Sequence, residues 1–301
     1  MKFLTFNKNK VGFVKHKDMI IDITELLKEK YNISSMEDLV SYPKYELIIS
    51  YLNKIEGEYI KTKDIEFNPP ISNPKNIICS VNNYARHAEE MRDGIFPKPI
   101  FFLKPSDVLI GNHGTVEIPR NCERVDYELE LCIIIGKKGK RISKNLALEH
   151  IFGYSIFLDI SARDFMSVPH TWFGIKAWDT FGPIGPYIVT RDEIADPQAL
   201  SMKLYVNDVI KMQANTSEMI FKISELIEAA SEVTTLYPGD IIATGTIYGV
   251  GSIKKGDTIK AEIENIGALY ITTKESMFSN KFYGDDFPRI YKKQLNKWLS
   301  I

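Results

Sequence analysis

Two glutamates and one aspartate are the first residues of this sequence whose types and spacing suggest chemistry. Glu128 and Glu130 lie in VDYELELCIIIG, residues 125–136, where alternating apolar residues predict a strand. Residues two apart point to the same face of a strand, roughly 7 Å from each other, so these two carboxylates would repel. Asp159 ends a second predicted strand, YSIFLD, just before a polar turn.

These three carboxylates would form a metal site if the two strand ends converge. Carboxylate oxygens are the hard ligands that Mg²⁺ and Mn²⁺ prefer, and a bound cation would remove the repulsion between Glu128 and Glu130. The alternative is that both glutamates line a solvated face of a sheet, as alternate residues of strands often do. The spacing alone leaves both interpretations open.

A histidine and a glutamate form a second candidate group. In NYARHAEEM, His87 and Glu90 are three residues apart, so on a helix they are neighbours. A carboxylate beside an imidazole orients the ring and raises its basicity, which suits a general base that activates water. The plainer interpretation is a surface pair.

Two cations complete the candidate residues. Lys176 lies in IKAWDTFGPIGP between hydrophobic residues, and a surface lysine is its default interpretation. Arg163 lies in SARD, where an ion pair with Asp164 or a nearby glutamate is the structural alternative to a substrate contact. Cys132, two residues after Glu130, is expected to pack in the core, because thiolates suit softer metals.

Many short strands must position these residues. From 76 to about 274 the strands are separated by Gly, Pro, Asn and Asp, and they favour a β-rich, mostly antiparallel α+β fold that could be rolled or barrelled. Two helices are predicted here, NYARHAEEMRD and one that follows Asn215, whose pairing with Glu218 resembles a capping box. The apolar residues with helical spacing behind that cap are Met219, Ile220, Ile223, Leu226, Ile227 and Ala230.

The composition changes twice along the chain and predicts three parts. Residues 1–70 are predicted to form a small N-terminal α/β domain with strands KFLTF and VGFVKH and helical stretches DITELLKEKY and MEDLVSYPKYELIISYLNKI. The proline-rich segment FNPPISNP predicts a linker. Residues 71–275 would form the catalytic domain, and 276–301 a C-terminal tail that ends in a short helix.

Charge and cysteine content narrow the function classes. The 301 residues carry a formal net charge of -1 with scattered Lys and Arg, so neither nucleic acid nor a membrane surface is an expected partner. The three cysteines form no C-x-x-C pair, which favours reduced thiols. The polar N-terminus and the lack of an apolar run of about 18 residues predict a soluble, cytoplasmic protein.

Residues 76 to about 270 resemble the fumarylacetoacetate hydrolase family, in its short bacterial and archaeal branch. The matching blocks are NNYARHAEEM, FFLKPSDVLIG, RVDYELELCIIIGK, DISARD, IKAWDTFGPIGP, NTSEMIF and PGDIIATGTIYGVG. The resemblance implies a β-rich roll or barrel, commonly a homodimer. It also implies a divalent cation held by Glu128, Glu130 and Asp159, which would be Mg²⁺ or Mn²⁺, with Ca²⁺ as a further candidate.

The same resemblance assigns roles to the other candidates. His87 and Glu90 match a dyad on a helical lid that activates water, and Lys176 matches a lysine that faces the metal and the substrate oxyanion. The substrate contacts that it implies are Arg163, Gly245 and Thr246. Three departures fall on the pocket: Met166 replaces a common glutamine, Ile175 replaces a common glycine, and the segment 164–175 is short. They leave the substrate open.

The candidate residues and the family resemblance together predict a divalent-metal-dependent hydrolase that cleaves a C–C bond of a 2,4-dioxo acid resembling an acylpyruvate. Water activated by His87 and Glu90 would attack C4, and the products would be pyruvate and a second carboxylic acid. One alternative is an isomerase, tautomerase or decarboxylase of a 2-oxo or 2-hydroxy-diene-dioic acid, including oxaloacetate. The non-enzyme alternative is a metal-binding assembly subunit.

Overall fold

The computed structural model describes residues 1–91, 94–120, 122–164 and 172–277, most of which lie in or between strands. The strands are β1 (Lys2–Phe6), β2 (Lys10–His16), β3 (Met19–Asp22), β4 (Ile60–Lys61), β5 (Phe67–Asn68), β6 (Ile77–Ser80), β7 (Phe101–Lys104), β8 (Leu109–Ile110), β9 (Thr115–Ile118), β10 (Val125–Tyr127), β11 (Leu129–Ile135), β12 (Ile151–Leu158), β13 (Ser161–Ala162), β14 (Gly182–Thr190), β15 (Ser201–Val206), β16 (Val209–Asn215), β17 (Ile241–Ala243), β18 (Gly251–Ile253), β19 (Thr258–Ile263) and β20 (Gly267–Glu275). The helices are α1 (Thr24–Tyr31), α2 (Met36–Ser41), α3 (Tyr45–Leu52), α4 (Ala85–Glu90), α5 (Trp172–Lys176) and α6 (Ile223–Val233).

One large sheet organises the described residues. Its strand order is β4-β3-β2-β1-β14-β12-β11-β17-β6-β7, with β5 paired to β1 and β8 paired to β14. Two smaller sheets have the orders β13-β10-β18 and β16-β15-β19-β20-β9. The pairs β14–β8, β17–β6 and β20–β9 are parallel, and the other named strand pairs are antiparallel. The predicted β-rich α+β fold is confirmed.

Strand β11 lies at the centre of the large sheet and is buried on both faces. Leu131 and Ile133 pack into one hydrophobic cluster, whereas Cys132 and Ile134 pack into another. A strand that is covered on both faces reads as a nearly continuous apolar run, which explains the sequence LELCIII. Cys132 is therefore a core residue, as predicted, and all three cysteines are free thiols.

Strand pairing crosses the predicted boundary near residue 70. Strand β1 pairs with β14, with Phe3 opposite Ile188, so the N-terminal strands extend the same sheet. The predicted linker is also fixed: β5 pairs with β1, Pro70 accepts a hydrogen bond from Thr5 Oγ1 at 3.0 Å, and Ile71 is buried. The division into 1–70, 71–275 and 276–301 stays a prediction. Of the tail, only Ser276 and Met277 lie within the described residues.

The helices differ from the predictions at three places. The stretch MEDLVSYPKYELIISYLNKI forms two helices, α2 and α3, because Pro43 disfavours a helical conformation in the residue before it. The capping box of Asn215 and Glu218 is present, but it caps a single 3₁₀ turn, Thr216–Glu218, and α6 begins later. Helix α4 is shorter than NYARHAEEMRD, and Arg92 and Asp93 lie outside the described residues.

Long-range hydrogen bonds explain why no helix continues directly from the cap at Asn215. The backbone N–H of Ile220 donates to the carbonyl of Asn83 at 2.8 Å, and that of Phe221 donates to Asn83 Oδ1 at 2.8 Å. These partners replace helical i→i−4 bonds and hold the segment beside the residues that precede α4. None of the helices within the described ranges is long and apolar enough to cross a membrane.

Candidate active site

The chain passes from one sheet to another at Glu128 and again at Asp159. Glu128 lies between β10 and β11, and Asp159 lies between β12 and β13. Strand β10 pairs with β13 and β18, whereas β11 pairs with β12 and β17. The predicted single strand over 125–136 is therefore two strands, and the backbone N–H of Asp159 donates to the carbonyl of Glu128 at 2.9 Å across the two breaks.

The three predicted metal ligands converge at these breaks. One carboxylate oxygen from each of Glu128, Glu130 and Asp159 lies within 4.8 Å of the other two, and all three residues are buried. Three buried carboxylates repel each other strongly unless a cation lies among them. Their oxygens suit a hard divalent ion, so the donor set fits the predicted metal.

The pKa values of the two glutamates shift in opposite directions. Burial raises the pKa of Glu128, but the charges of Lys176 and Arg163 outweigh it and hold the pKa well below its ordinary value. Burial and the charges of Asp159 and Glu128 raise the pKa of Glu130 well above its ordinary value. Of the two glutamates, Glu130 is thus the one whose charge needs a nearby cation.

Lys176 is brought to the carboxylates, as predicted. Its Nζ donates to Asp159 Oδ2 at 2.5 Å and to Glu128 Oε2 at 2.7 Å, and its side chain is buried. Burial lowers the pKa of Lys176, but the charges of Asp159 and Glu128 outweigh it and raise the pKa above its ordinary value. Lys176 therefore remains an ammonium ion at neutral pH and can offset negative charge on a ligand.

A second buried lysine, Lys104, was missed by the sequence analysis. Its Nζ donates to Asp159 Oδ1 at 2.5 Å and to the carbonyl of Phe181 at 2.8 Å. Lys104 ends β7 in the block FFLKPSDVLIG, and a lysine inside an apolar strand was the available signal. Asp159 thus has a lysine on each of its carboxylate oxygens.

Arg163 lies at the site in an ion-pair network. It donates to Glu128 and, through Nε, to Asp126 Oδ2 at 2.8 Å, so the glutamate considered as its structural partner is a candidate metal ligand. Asp126, which the sequence analysis did not single out, also accepts from Arg124. The carboxylate of Asp164 accepts from the backbone N–H groups of Glu123 and Arg124.

The structure brings the predicted dyad together on α4. His87 Nδ1 lies 3.2 Å from Glu90 Oε2. The buried His87 lines the same cavity as the acidic triad, which consists of Glu128, Glu130 and Asp159. The backbone N–H of Gly249 also donates to Glu90 Oε2, at 3.3 Å. When Nδ1 carries its proton toward Glu90, Nε2 is the basic nitrogen that can accept a proton from water.

Gly245 and Thr246 also lie at the site, although their hydrogen bonds are made to protein atoms. The backbone N–H of Gly245 donates to Glu130 Oε2 at 2.7 Å, and Thr246 Oγ1 donates to the carbonyl of Leu129 at 3.1 Å. A β-carbon at Gly245 would lie 2.8 Å from that of Asn83, and its φ is +91°, so this position requires glycine.

A cavity of about 60 Å³ is lined by the triad, Lys176, Arg163, His87 and Thr246. Its lining also includes Phe102 and Trp172, whose rings stack with their centroids 4.8 Å apart. Ile175 is buried in α5. Met166 and most of the short segment 164–175 lie outside the described residues, so those departures stay untested.

Comparisons with known proteins agree on one family. Residues 76–273 match the family described as fumarylacetoacetate (FAA) hydrolase C-terminal. The chain is 38% identical over 215 residues to a mitochondrial oxaloacetate tautomerase of Bos taurus, which covers 68% of this chain and 68% of that protein.

Two solved structures of enzymes resemble the fold. The crystal structure of maleylpyruvate hydrolase from Sphingobium sp. SYK-6 in complex with manganese(II) and pyruvate has a TM-score of 0.79 and 32% identity, covering 92% of this chain and all of that one. A 2-hydroxyhepta-2,4-diene-1,7-dioate isomerase from Mycobacterium marinum has a TM-score of 0.67 and 36% identity, covering 75% and 84%.

Proposed function

This chain is an enzyme that belongs to the fumarylacetoacetate hydrolase family, and we propose that it is a divalent-metal-dependent hydrolase of a 2,4-dioxo acid resembling an acylpyruvate. The observation that supports this proposal most directly is that His87, whose Nδ1 lies 3.2 Å from Glu90 Oε2, lines the same cavity as the acidic triad. Hydrolysis needs a base for water, whereas simple enolisation needs it much less.

The charges of the site favour an anionic substrate. With all three carboxylates of the triad ionised, as a bound cation would require, they and the ammonium groups of Lys104 and Lys176 leave one net negative charge, and Arg163 is shared with Asp126. A divalent cation would turn this into one net positive charge, which the carboxylate of a 2-oxo acid would neutralise. Glu128, Glu130 and Asp159 would hold Mg²⁺ or Mn²⁺, with Ca²⁺ as a further candidate, and the ion would supply Lewis-acid polarisation of the substrate oxygens.

The residues of the chain would then divide the reaction between them. Nε2 of His87 takes a proton from water, whose oxygen forms a bond to C4, and Glu90 stabilises the imidazolium that results. The C3–C4 bond breaks, its electron pair passes to the pyruvate fragment as an enolate, and the proton that His87 took from water is returned to C3. Lys176 offsets the negative charge that develops on the substrate oxygens. The second product is a carboxylic acid.

A tautomerase is the second candidate, and a specific observation favours it. The bovine relative at 38% identity is an oxaloacetate tautomerase. Enolisation of a 2-oxo acid moves a proton from C3 to the 2-oxo oxygen and adds no water. The metal site and Lys176 would stabilise the enolate and a solvent water would carry the proton, so the dyad would then have a lesser role.

Product analysis with acetylpyruvate separates the two activities. The full chain is assayed with Mg²⁺ and, in parallel, with EDTA, and both pyruvate and the ultraviolet absorbance of the enol are followed. Pyruvate release that requires Mg²⁺ supports hydrolysis. Loss of the enol absorbance without pyruvate supports a tautomerase, and no metal-dependent change of either signal would contradict both activities.

A homodimer completes the proposal. Strand β7 ends the order of paired strands within the described ranges, and Leu103 on this strand is 61% exposed. Unpaired strand edges with apolar side chains are places where a second chain can associate. We therefore place the contact between two copies of this chain at the β7 edge, beside the wall of the cavity.

A further inference from the structure

The hydrogen bonds of Lys104 differ from those of the other cations of the site, and this difference points to a role for Lys104. Resting on the metal-dependent activity proposed above, we infer that Lys104 is a positioning residue: it holds one oxygen of Asp159 so that the other faces Glu128 and Glu130. A lysine would thus orient a metal ligand from behind.

The ammonium group of Lys104 has a complete set of acceptors. Besides Asp159 Oδ1, its Nζ donates to the carbonyls of Phe181 at 2.8 Å and of Ile160 at 3.4 Å. A lysine has three N–H donors, so none is left for a substrate. The side chain is 0% exposed, and the residue pairs with Ile77 of β6, which fixes its backbone.

Lys176, in contrast to Lys104, contacts two of the candidate metal ligands. Its Nζ contacts Glu128 Oε2 and Asp159 Oδ2, which belong to two of the candidate metal ligands. Because one ammonium touches both oxygens, Oδ2 of Asp159 faces Glu128, its neighbour among the candidate ligands. The bond of Lys104 is made to the other oxygen, Oδ1, so it leaves Oδ2 on the side of Glu128.

The sign of one measurement distinguishes positioning from simple charge neutralisation. If Lys104 only neutralised Asp159, removing its charge would lessen the repulsion of a divalent cation, and metal would bind more tightly. If Lys104 orients Asp159, its loss lets the carboxylate rotate, and metal binds more weakly. Partners that orient metal ligands typically contribute about 10- to 100-fold to metal affinity.

Calorimetric titration of the metal-free full chain with Mn²⁺ tests the inference. Lys104→Met is expected to weaken Mn²⁺ binding by about 10- to 100-fold. Lys104→Gln keeps an N–H donor toward Asp159 without the charge, and a smaller loss is expected. Gln also leaves Asp159 partnered, so this variant decides the question if the methionine variant does not fold. The matched control is Lys2→Met, which removes a half-buried lysine that donates to the carbonyl of Ile266.

The outcomes separate this inference from the proposed function. Weaker Mn²⁺ binding in the Lys104 variants, with unchanged binding in Lys2→Met, supports positioning. Equal or tighter binding in the Lys104 variants overturns the positioning role and leaves the metal-dependent activity standing. No Mn²⁺ binding by the unaltered chain would overturn both.

Discussion

The backbone N–H of Gly245 donates a hydrogen bond to Glu130 Oε2 at 2.7 Å, which ties a candidate metal ligand to the loop that follows β17. Strand β17 is the neighbour of β11, with Cys132 opposite Ala243, so the same ladder that builds the sheet brings Gly245 to Glu130. The glutamate is thereby oriented by a main-chain N–H group.

Because Gly245 can donate to glutamine as well as to glutamate, Glu130→Gln tests the metal site without removing this hydrogen bond. The amide oxygen of glutamine can still accept from Gly245, and the substitution removes one of three repelling carboxylates. We expect the free energy of unfolding without metal to be unchanged or higher, while bound Mg²⁺ or Mn²⁺ and activity are lost. Metal content after dialysis and denaturant unfolding measure the two effects.

The exposed Glu29 on α1 offers the matched control, since Glu29→Gln makes the same chemical change far from the triad in sequence. This control is expected to keep both metal and activity. Retention of one metal ion per chain by Glu130→Gln would refute the assignment of the triad.

The sequence predicted which residues form the site better than it predicted the backbone conformation around them. The spacing of Glu128, Glu130 and Asp159 left a solvated sheet face as an alternative, and the family resemblance favoured the cluster that the structure shows. The break in the strand at Glu128 could not be predicted, because apolar alternation continues through it. It arises from the pairing of β10 and β11 with different sheets, which only the folded chain determines.

Long-range partners also explain the other differences. The apolar spacing of Met219 and Ile220 continues that of α6, yet hydrogen bonds from Ile220 and Phe221 to Asn83 keep this segment out of the helix. Likewise, the sequence does not indicate which residue a lysine in a strand will pair with. Lys104 is recognised as part of the site only in the structure, where its Nζ donates to Asp159 Oδ1. The identification of the dyad depended on the family resemblance, because His87 and Glu90 alone also fit a surface pair.

Arg163 is predicted to stabilise the metal-free site through its planar guanidinium. It donates to both Asp126 and Glu128, and a lysine cannot reproduce this two-carboxylate geometry because its charge is a single point. We expect Arg163→Lys to lower the free energy of unfolding by about 1–3 kcal/mol, the cost of leaving a buried polar group without its partner. Denaturant unfolding of the metal-free protein measures it.

The control for this change is Arg191→Lys. Arg191 is surface-located and donates to the carbonyl of Leu148. Most substitutions at such positions change stability by less than about 0.5 kcal/mol. An Arg163 variant as stable as the Arg191 control would contradict the structural role of the Arg163 network.

The quaternary state gives an independent prediction. We expect a homodimer at micromolar concentration by light scattering, and we expect Leu103→Lys to shift it toward the monomer, because a charge on an edge strand opposes association. Val233→Lys is the control, since Val233 is also exposed but ends α6. A monomer in the unaltered chain would reject the dimer, and a dimer unaffected by Leu103→Lys would place its contact elsewhere.

The sharpest prediction separates the dyad from the metal site. His87 contacts Glu90, and the hydrogen bonds found in the described part of the chain place neither residue against a triad carboxylate. We therefore expect His87→Ala to leave the Mn²⁺ affinity nearly unchanged. Hydrolysis should fall by about 10²- to 10⁴-fold, the range typical of general base catalysis. Calorimetric titration and acetylpyruvate kinetics measure the two quantities.

Enolisation provides the internal comparison for the same variant. Tautomerisation of oxaloacetate adds no water, and with the enolate stabilised by the metal site and Lys176 a solvent water can carry the C3 proton, so its rate should fall far less than that of hydrolysis. His16→Ala, at an exposed histidine of β2, controls for the loss of an imidazole and should change neither rate. Equal losses of both activities in His87→Ala would show that the dyad is not a dedicated activator of water. A tautomerase would then be the better account of this enzyme, since a base that serves enolisation and hydrolysis equally must act on the substrate itself.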